Sequence, residues 1–273
     1  TDTNAVVGNT TVANAGTGLF NQTGGYFAND THLNVGTAAG TGSYVLSGGE
    51  LTFRDRVAVS QAVATDNVAS EINIGANGTF TFNGGTLSNV TTINPTGSGV
   101  FTQDGGDFVI GVDGGLDVND ANLARAMTTI NGNFVQNGGS LTVDIFGDKV
   151  RGRSGEAGDD FFNVGDPLTY ITDSDLLYVT GTADLDGSVD LTIAADADLP
   201  PWGWYDVVYA DGGITLGSNF SVNGGAGLFR ILTAPDGSQI LQVAVPEPTT
   251  LAIWSALGLA LAGFAALRRR RRG

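Results

Sequence analysis

Cysteine is absent from the 273 residues, and histidine occurs once, at His32. The lack of cysteine excludes a disulfide framework, a thiolate nucleophile, a Cys-ligated zinc site and an iron–sulfur cluster. A single histidine excludes a multi-histidine metal site. A hydrolase triad would have to use His32, which we expect to be a surface residue between strands. Charged residues are only 15% of the chain, and this low share argues against long solvated helices.

Acidic side chains outnumber basic ones everywhere except at the end of the chain. Residues 1–245 contain 27 acidic and seven basic side chains, a difference of −20, whereas residues 268–272 are five consecutive arginines. A body this acidic repels phosphate backbones, so we expect no nucleic-acid partner. Of the 28 acidic residues, 24 are aspartates, which are typical of turns, so the negative charge is expected mostly at turns.

An uncharged apolar run lies close to the C-terminus. Residues 249–267 read TTLAIWSALGLALAGFAAL, and a helix of this length would span about 28 Å, close to the thickness of the hydrocarbon core of a bilayer. The arginines follow directly, and positive residues remain on the cytoplasmic side. We therefore predict a transmembrane helix over 249–267, with the C-terminus in the cytoplasm and residues 1–245 outside. The alternative is a buried core helix with a basic end.

The apolar run is preceded by Pro246, Glu247 and Pro248, where the two prolines favour an exposed, extended hinge. This tripeptide, the short apolar span and the arginine cluster, in that order, resemble the PEP-CTERM sorting signal of Gram-negative bacteria. The resemblance implies that an exosortase, a membrane protease-transpeptidase, recognises and processes the tail while it is transiently anchored in the inner membrane. The sorting-signal residues would be Pro246, Glu247, Pro248, Arg268, Arg269, Arg270, Arg271 and Arg272.

The first residues show no secretory signal. The chain begins Thr1-Asp2-Thr3-Asn4, without a basic segment followed by an apolar one. Because the tail implies export, we expect that a signal was removed or that the sequence is a fragment.

A ten-residue pattern, Gly-x-aromatic-x-x-x-Gly-Gly-x-(Leu/Phe), occurs five times between residues 18 and 141. Such recurrence predicts a stacked array of short strands. The aromatic residue would face the interior, the glycine pair would form a tight turn with positive φ, and the Leu or Phe would start the next strand. The aromatic residues are Phe20, Tyr44, Phe80, Phe101 and Phe134, and the glycine pairs begin at Gly24, Gly48, Gly84, Gly105 and Gly138.

These observations predict an all-β fold, a parallel β-helix (β-solenoid) with a C-terminal β cap, followed by one transmembrane α-helix. The repeats resemble the β-solenoid repeats of bacterial autotransporter passengers and of many PEP-CTERM surface proteins. Antiparallel hairpins in a sandwich or barrel are the alternative. The predicted regions are solenoid repeats over 1–146, a transition loop over 147–173, a β cap over 174–245 and the sorting tail over 246–273.

Clusters of aspartates are the candidates for catalysis or metal binding. Paired carboxylates could act as acid and base in a polysaccharide lyase or hydrolase, although turn chemistry also explains the pair that flanks a glycine corner. A second set matches a calcium loop only in part. We expect weak, non-specific binding of divalent ions such as Ca²⁺ rather than a specific site, and no other cofactor. The candidate pairs and triads are Asp104 with Asp107, Asp113 with Asp117 and Asp120, Asp159 with Asp160, and Asp184 with Asp186 and Asp190.

The interpretation of the whole chain is an exported, non-enzymatic surface or extracellular-matrix protein that is sorted by an exosortase. Its role would be structural or adhesive within an exopolysaccharide or biofilm layer, as the family resemblance implies. One alternative is a polysaccharide-active β-helix enzyme, a lyase or hydrolase. Another is a carbohydrate-binding module in which Trp202, Trp204 and Tyr205 form a stacking platform. Packing inside the cap is the competing role for these three residues.

Overall fold

All regular structure in the described residues is β-structure, and no helix occurs among them. The all-β class is therefore confirmed. The predicted transmembrane helix 249–267 and nearly all of the predicted transition loop 147–173 lie outside the described residues. The computed structural model describes residues 5–7, 10–29, 32–53, 70–96, 99–111, 127–147, 174–198, 203–224 and 227–245.

The described residues form twenty strands, most of them short. The strands are β1 (Ala5–Val7), β2 (Thr10–Val12), β3 (Gly16–Asn29), β4 (His32–Val35), β5 (Gly40–Phe53), β6 (Glu71–Ile74), β7 (Gly78–Ser88), β8 (Thr92–Pro95), β9 (Val100–Val109), β10 (Met127–Ile130), β11 (Asn133–Gln136), β12 (Ser140–Gly147), β13 (Leu176–Val179), β14 (Ala183–Leu185), β15 (Ser188–Asp198), β16 (Gly203–Ala210), β17 (Ile214–Leu216), β18 (Ser221–Asn223), β19 (Phe229–Thr233) and β20 (Gln239–Val245).

The strands form two sheets, and the chain alternates between them. The first sheet runs β1-β3-β5-β7-β9-β11-β14-β17, with β12, β15 and β18 beside it, and the second runs β2-β4-β6-β8-β10-β13-β16-β20-β19. Neighbouring strands along the repeats pair in parallel. Antiparallel ladders among the described strands join only β16 to β20 and β19 to β20. The antiparallel-hairpin alternative is therefore wrong for the repeats.

The ten-residue pattern sets the register of the first sheet. Phe20 lies opposite Tyr44, and Tyr44 lies opposite Phe80. The pairing of β9 with β11 likewise places Phe101 opposite Phe134. Successive rings form one column, with centroid separations of 4.9, 5.2, 5.8 and 6.0 Å. Aromatic contacts across neighbouring strands stabilise a sheet beyond the burial of their area.

The glycine pairs are bends within strands in four of the five copies. Strands β3, β5, β7 and β9 continue through the pair, and the register shifts there. Positive φ is confirmed at the second glycine, with values of 75° to 80°. The predicted break between two strands holds only in the fifth copy, where β11 and β12 are separate. In the other copies parallel pairing resumes directly after the bend, so the strand does not end.

Parallel pairing continues beyond the last copy of the ten-residue pattern. Strand β13 pairs in parallel with β10 and β16, β14 pairs with β11 and β17, and β15 pairs with β12 and β18. The antiparallel strands β20 and β19 then end the second sheet. The exact boundaries of the predicted repeat, transition and cap regions stay a prediction.

The hydrophobic core lies between the two sheets. In the second sheet, strands β4, β6, β8 and β10 each show the same alternation, in which every second side chain is buried and those between are partly exposed. Leu33, Ile72, Ile93 and Ile130 are 0% exposed. This period of two places the intervening polar residues on the outer face, where they form continuous rows.

Candidate functional site

The outer face of the second sheet carries a ladder of four asparagines, Asn34, Asn73, Asn94 and Asn131. Nδ2 of Asn73 donates to Oδ1 of Asn34 over 3.1 Å, Nδ2 of Asn94 to Asn73 over 2.8 Å, and Nδ2 of Asn131 to Asn94 over 2.6 Å. Each amide thus donates to the preceding one in the ladder. This asparagine ladder runs along the direction in which the strands stack, so it presents a linear row of polar groups.

The same sheet carries two tyrosines beyond the asparagine ladder. Tyr178 of β13 lies opposite Tyr209 of β16, and their ring centroids are 5.5 Å apart with a tilt of 50°. Both side chains are half-buried. The Tyr178 hydroxyl donates to Oδ2 of Asp211 over 2.8 Å. We call Tyr178 and Tyr209 the tyrosine pair.

Burial raises the pKa of Tyr209 above its ordinary value of 10.0. A side-chain hydrogen bond with Ser238 lowers the pKa, and the carboxylates of Asp211 and Asp236 raise it further. The phenol therefore remains protonated and able to donate a hydrogen bond near neutral pH. The pKa of Asp236 itself is lowered by hydrogen bonds from the side chain and backbone of Ser238.

The asparagine ladder and the tyrosine pair lie on one outer face. Thr129 of β10 lies opposite Tyr178, and Asn131 follows Thr129 by two residues, so both point away from the core. We call the asparagine ladder and the tyrosine pair together the strip, which combines amides with two aromatic rings. Sequence reasoning missed it, although one signal was available. Strands β4, β6 and β8 share a short sequence motif, an apolar residue followed by asparagine. The three copies are Leu33-Asn-Val, Ile72-Asn-Ile and Ile93-Asn-Pro.

The predicted stacking platform does not form a single exposed surface. Trp202 lies outside the described residues. Trp204 and Tyr205 are consecutive on β16 and therefore face opposite sides of the sheet. Tyr205 is 3% exposed and belongs to the core, which fits the packing role and leaves no ring face for a sugar. Trp204 is half-buried, and the guanidinium carbon of Arg230 lies 4.3 Å from its ring centroid.

The aspartates that flank the fourth glycine pair bind the next copy of the repeat. Oδ1 of Asp104 accepts from Nδ2 of Asn137 over 2.8 Å. Oδ1 of Asp107 accepts from the hydroxyls of Ser140 and Thr142 over 3.0 and 2.7 Å. These contacts join successive copies of the repeat, and the choice between turn chemistry and catalysis for the two aspartates stays a prediction. Asp113, Asp117, Asp120, Asp159 and Asp160 lie outside the described residues.

Two aspartates of the partial calcium motif, Asp186 and Asp190, also accept hydrogen bonds from residues of the following part of the chain. Asp186 accepts from the backbone N and from Nδ2 of Asn219 over 2.7 and 3.0 Å, and Asp190 accepts from Nδ2 of Asn223 over 2.7 Å. Asp184 is exposed on β14. Within the described ranges, no group of three or more His, Cys, Asp or Glu residues could hold a metal ion. Calcium binding and catalysis stay predictions that these contacts do not test.

The single histidine, His32, lies on the outer face of the second sheet. It is the first residue of β4, the strand that carries Asn34 of the asparagine ladder. Nε2 of His32 is 3.4 Å from Oε2 of Glu71, and both side chains are about one-third exposed or less. The two residues lie opposite each other in the pairing of β4 with β6. This contact belongs to the polar surface of the sheet.

Comparison with protein families identifies the C-terminal segment. Residues 244–271 match the PEP-CTERM protein-sorting motif. The predicted sorting signal is thereby confirmed, and it implies export, transient membrane anchoring at the C-terminus and processing by an exosortase. Pro246, Glu247, Pro248 and the arginines 268–272 lie within the match but outside the described residues.

No curated protein and no solved structure matches the chain. The resemblance of the repeats to autotransporter passengers therefore stays a prediction. Among the residues that the structure describes, no helix has the length and hydropathy needed to cross a bilayer.

Proposed function

We propose that this chain is a non-enzymatic surface or extracellular-matrix protein with a structural or adhesive role. The observation that carries the proposal is the PEP-CTERM motif at residues 244–271. The arginines at 268–272 favour an orientation with the C-terminus in the cytoplasm and the body outside, because positive residues stay inside. Processing would release the body from its membrane anchor or transfer it to another carrier.

The body is proposed to be a closed parallel β-helix. Support comes from the alternation of the chain between two parallel sheets and from the matched register of successive repeats. Such a coil grows along one axis and would give a rod. The excess of acidic side chains would keep rods apart in solution and would allow divalent ions to bridge them.

The adhesive surface is proposed to be the strip of the asparagine ladder and the tyrosine pair. Aromatic rings bury the apolar faces of sugar rings, while amides donate and accept hydrogen bonds to hydroxyl groups. Tyr178 and Tyr209 are close enough to contact one extended glycan, and Asn131 continues the same face. The ligand class would be an exopolysaccharide that lies along the stacking direction of the strands.

The experiment that tests the sorting role is mass spectrometry of the C-terminal peptide of the protein from its native cells. A chain that ends near residues 246–249 is expected if an exosortase processes it. A variant with Pro246→Ala, Glu247→Ala and Pro248→Ala should retain the arginines 268–272. Pro235→Ala, a change in an exposed turn of the body, is the matched control and should be processed normally. Retention of the arginines in the unchanged protein would overturn processing and would indicate a permanent anchor.

A further inference from the structure

Two consecutive exposed apolar residues lie at the β19 edge of the second sheet, where β19 is the outermost of the described strands. Leu228 is 50% exposed and directly precedes β19. Phe229 is 41% exposed and is the first residue of β19, the last strand in the order of that sheet. The ring of Phe229 meets the ring of Phe220 edge-on at 5.0 Å, so the apolar surface continues toward the end of the first sheet. An exposed apolar edge strand invites association unless another surface covers it.

This edge adjoins the point where the sorting tail leaves the body. Val245 ends β20 and lies opposite Gly203, and the neighbouring Ala244 donates its backbone N–H to the carbonyl of Leu228 over 3.0 Å. The apolar run of the tail begins at Thr249. Four residues of extended chain span at most about 14 Å. While the tail is anchored, Val245 is therefore held within that distance of the start of the apolar run.

Trp204 and Arg230, which lie near this edge, are residue types that occur at membrane interfaces. Trp204 lies opposite Ala244, and the guanidinium of Arg230 covers its ring at 4.3 Å. Tryptophan is enriched at the level of the lipid headgroups, and arginine extends its charge toward the phosphates. Arg230 is the only arginine or lysine among the described residues, and it is exposed. Within the described ranges, this positive side chain thus lies on the strand next to β20, the strand that ends where the tail begins.

Arg230 is also held in place by a row of hydrogen bonds across three strands. Its Nε donates to Oε1 of Gln242 over 2.7 Å, and Nε2 of Gln242 donates to Oδ1 of Asp206 over 2.7 Å. Gln242 is 2% exposed. The row fixes the guanidinium over Trp204 and beside Leu228, so apolar and cationic groups are presented together.

We propose that Trp204, Leu228 and Arg230 form a tail-proximal patch that rests on the surface of the lipid bilayer while the chain is anchored. Phe229 is not part of this patch, because it lies opposite Val243 on the core-facing side of the sheet. The patch orients the body against the membrane before processing and becomes exposed to water when the tail is removed. The proposal rests on membrane anchoring by the tail, and it is independent of cleavage and of glycan binding. It identifies lipid headgroups and the adjoining acyl region as the partner.

The absence of cysteine allows a direct test with single spin labels. The uncleaved full chain is inserted into vesicles of phosphatidylethanolamine and phosphatidylglycerol with a label at Leu228→Cys or Phe229→Cys. Collisions with oxygen, which is concentrated in lipid, are compared with collisions with a water-soluble nickel chelate. We expect a several-fold higher oxygen-to-nickel ratio at residue 228 than at residue 229, which lies on the core-facing side of the sheet, or at the control, Leu19→Cys.

Leu19 is a matched control because it is an exposed leucine at the opposite end of the first sheet. It is 70% exposed on β3, six strand positions from β17 in the sheet order, which is about 29 Å at the usual strand spacing. Equal ratios at residues 228 and 19 would overturn the proposal. Protection from both collision partners that depends on protein concentration would also overturn it, because a second copy would then cover the patch.

A second measurement avoids any change at the patch. With Trp202→Phe and Trp254→Phe, Trp204 is the only remaining tryptophan. Its fluorescence should be quenched by lipids brominated near the headgroup in vesicles that hold the uncleaved chain, and the quenching should disappear once the tail is cut away. Unchanged fluorescence with brominated lipids would contradict contact with the bilayer, whatever the outcome of exosortase processing.

Discussion

Tyr44 donates its hydroxyl hydrogen to Oε1 of Gln22 over 2.5 Å, across two adjacent strands of the first sheet. Tyr44 is 0% exposed and Gln22 is 5% exposed. Nε2 of Gln22 in turn donates to the carbonyl of Glu50 over 2.7 Å. In the neighbouring copies of the repeat, Phe80 and Leu46 occupy the corresponding positions. A polar pair thus replaces two apolar side chains, one in the column of rings and one in the adjacent column that contains Leu46.

Removing both partners of this pair is expected to cost less than the sum of the two single losses. Tyr44→Phe leaves a buried amide oxygen without its donor, and we expect the free energy of unfolding to fall by about 1–3 kcal/mol. Gln22→Leu should also destabilise, since the phenol loses its acceptor. The double variant, which copies the neighbouring repeats, should lose less than the sum of the two. Urea unfolding of all four proteins measures this coupling, and strictly additive losses would contradict it.

Alkaline pH is expected to destabilise the body through Tyr44. Burial raises the pKa of Tyr44 above its ordinary value of 10.0, so the folded state favours the protonated phenol. This stabilisation is complete below about pH 10 and is lost as the pH rises further, because the unfolded chain then releases its proton first. The free energy of unfolding, measured by urea titration at a series of alkaline pH values, should fall less steeply for Tyr44→Phe than for the unchanged chain. Parallel curves for the two proteins would show that another group dominates.

The glycine corners offer a test in which one motif position is compared in two copies. A Cβ added at Gly48 would lie 2.5 Å from the carbonyl oxygen of Thr23, whereas a Cβ at Gly24 would have nothing within 4 Å. Neither glycine has a positive φ. Gly48→Ala should therefore destabilise by about 1–3 kcal/mol or more through backbone displacement, and Gly24→Ala should change stability by less than about 0.5 kcal/mol. Thermal unfolding measures both, and equal effects would refute direct stacking of the corners.

The repeat in the sequence sufficed to predict strands, inward aromatic residues and positive φ at the glycine pair. It did so because a period of two decides which side chains can reach the core, and because only glycine tolerates the bend. Whether the strand breaks at the glycine pair could not be read from the pattern. That outcome depends on close backbone contacts with the preceding copy, as between Gly49 and Gly25, which are distant in sequence and stacked in space.

The candidate binding surface was harder to predict than the fold. Tyr178 and Tyr209 lie 31 residues apart, outside the ten-residue pattern, and only the pairing of β13 with β16 brings them together. Trp204 and Tyr205 looked like a platform because they are consecutive, yet consecutive residues of a strand face opposite sides. The sorting signal was found because its information is local, in three adjacent features of one segment.

The direction of hydrogen bonding in the asparagine ladder makes its members unequal. Asn94 donates to Asn73 and accepts from Asn131, whereas Asn34 only accepts from Asn73 within the ladder. Asn94→Asp replaces a donor by an oxygen that faces another oxygen, and we expect a loss of about 1–2 kcal/mol. Asn34→Asp keeps the acceptor and should cost clearly less. Urea unfolding at neutral pH compares the two, and an equal or larger loss at residue 34 would contradict the direction of the ladder.

The tyrosine pair predicts how the body would hold a glycan. Tyr209→Ala removes one of two adjacent rings at a half-buried surface position, so retention on an exopolysaccharide matrix from the native cells should fall several-fold, since each stacking contact contributes about 0.5–1.5 kcal/mol. Tyr26→Ala is the matched control, because Tyr26 is 39% exposed and lies on the other sheet. Affinity electrophoresis in gels containing that polysaccharide measures retention, with thermal unfolding as the check on folding. If both variants migrate as the unchanged body does while all three are folded, the strip does not bind this glycan, and the structural role of the rod remains without the adhesive one.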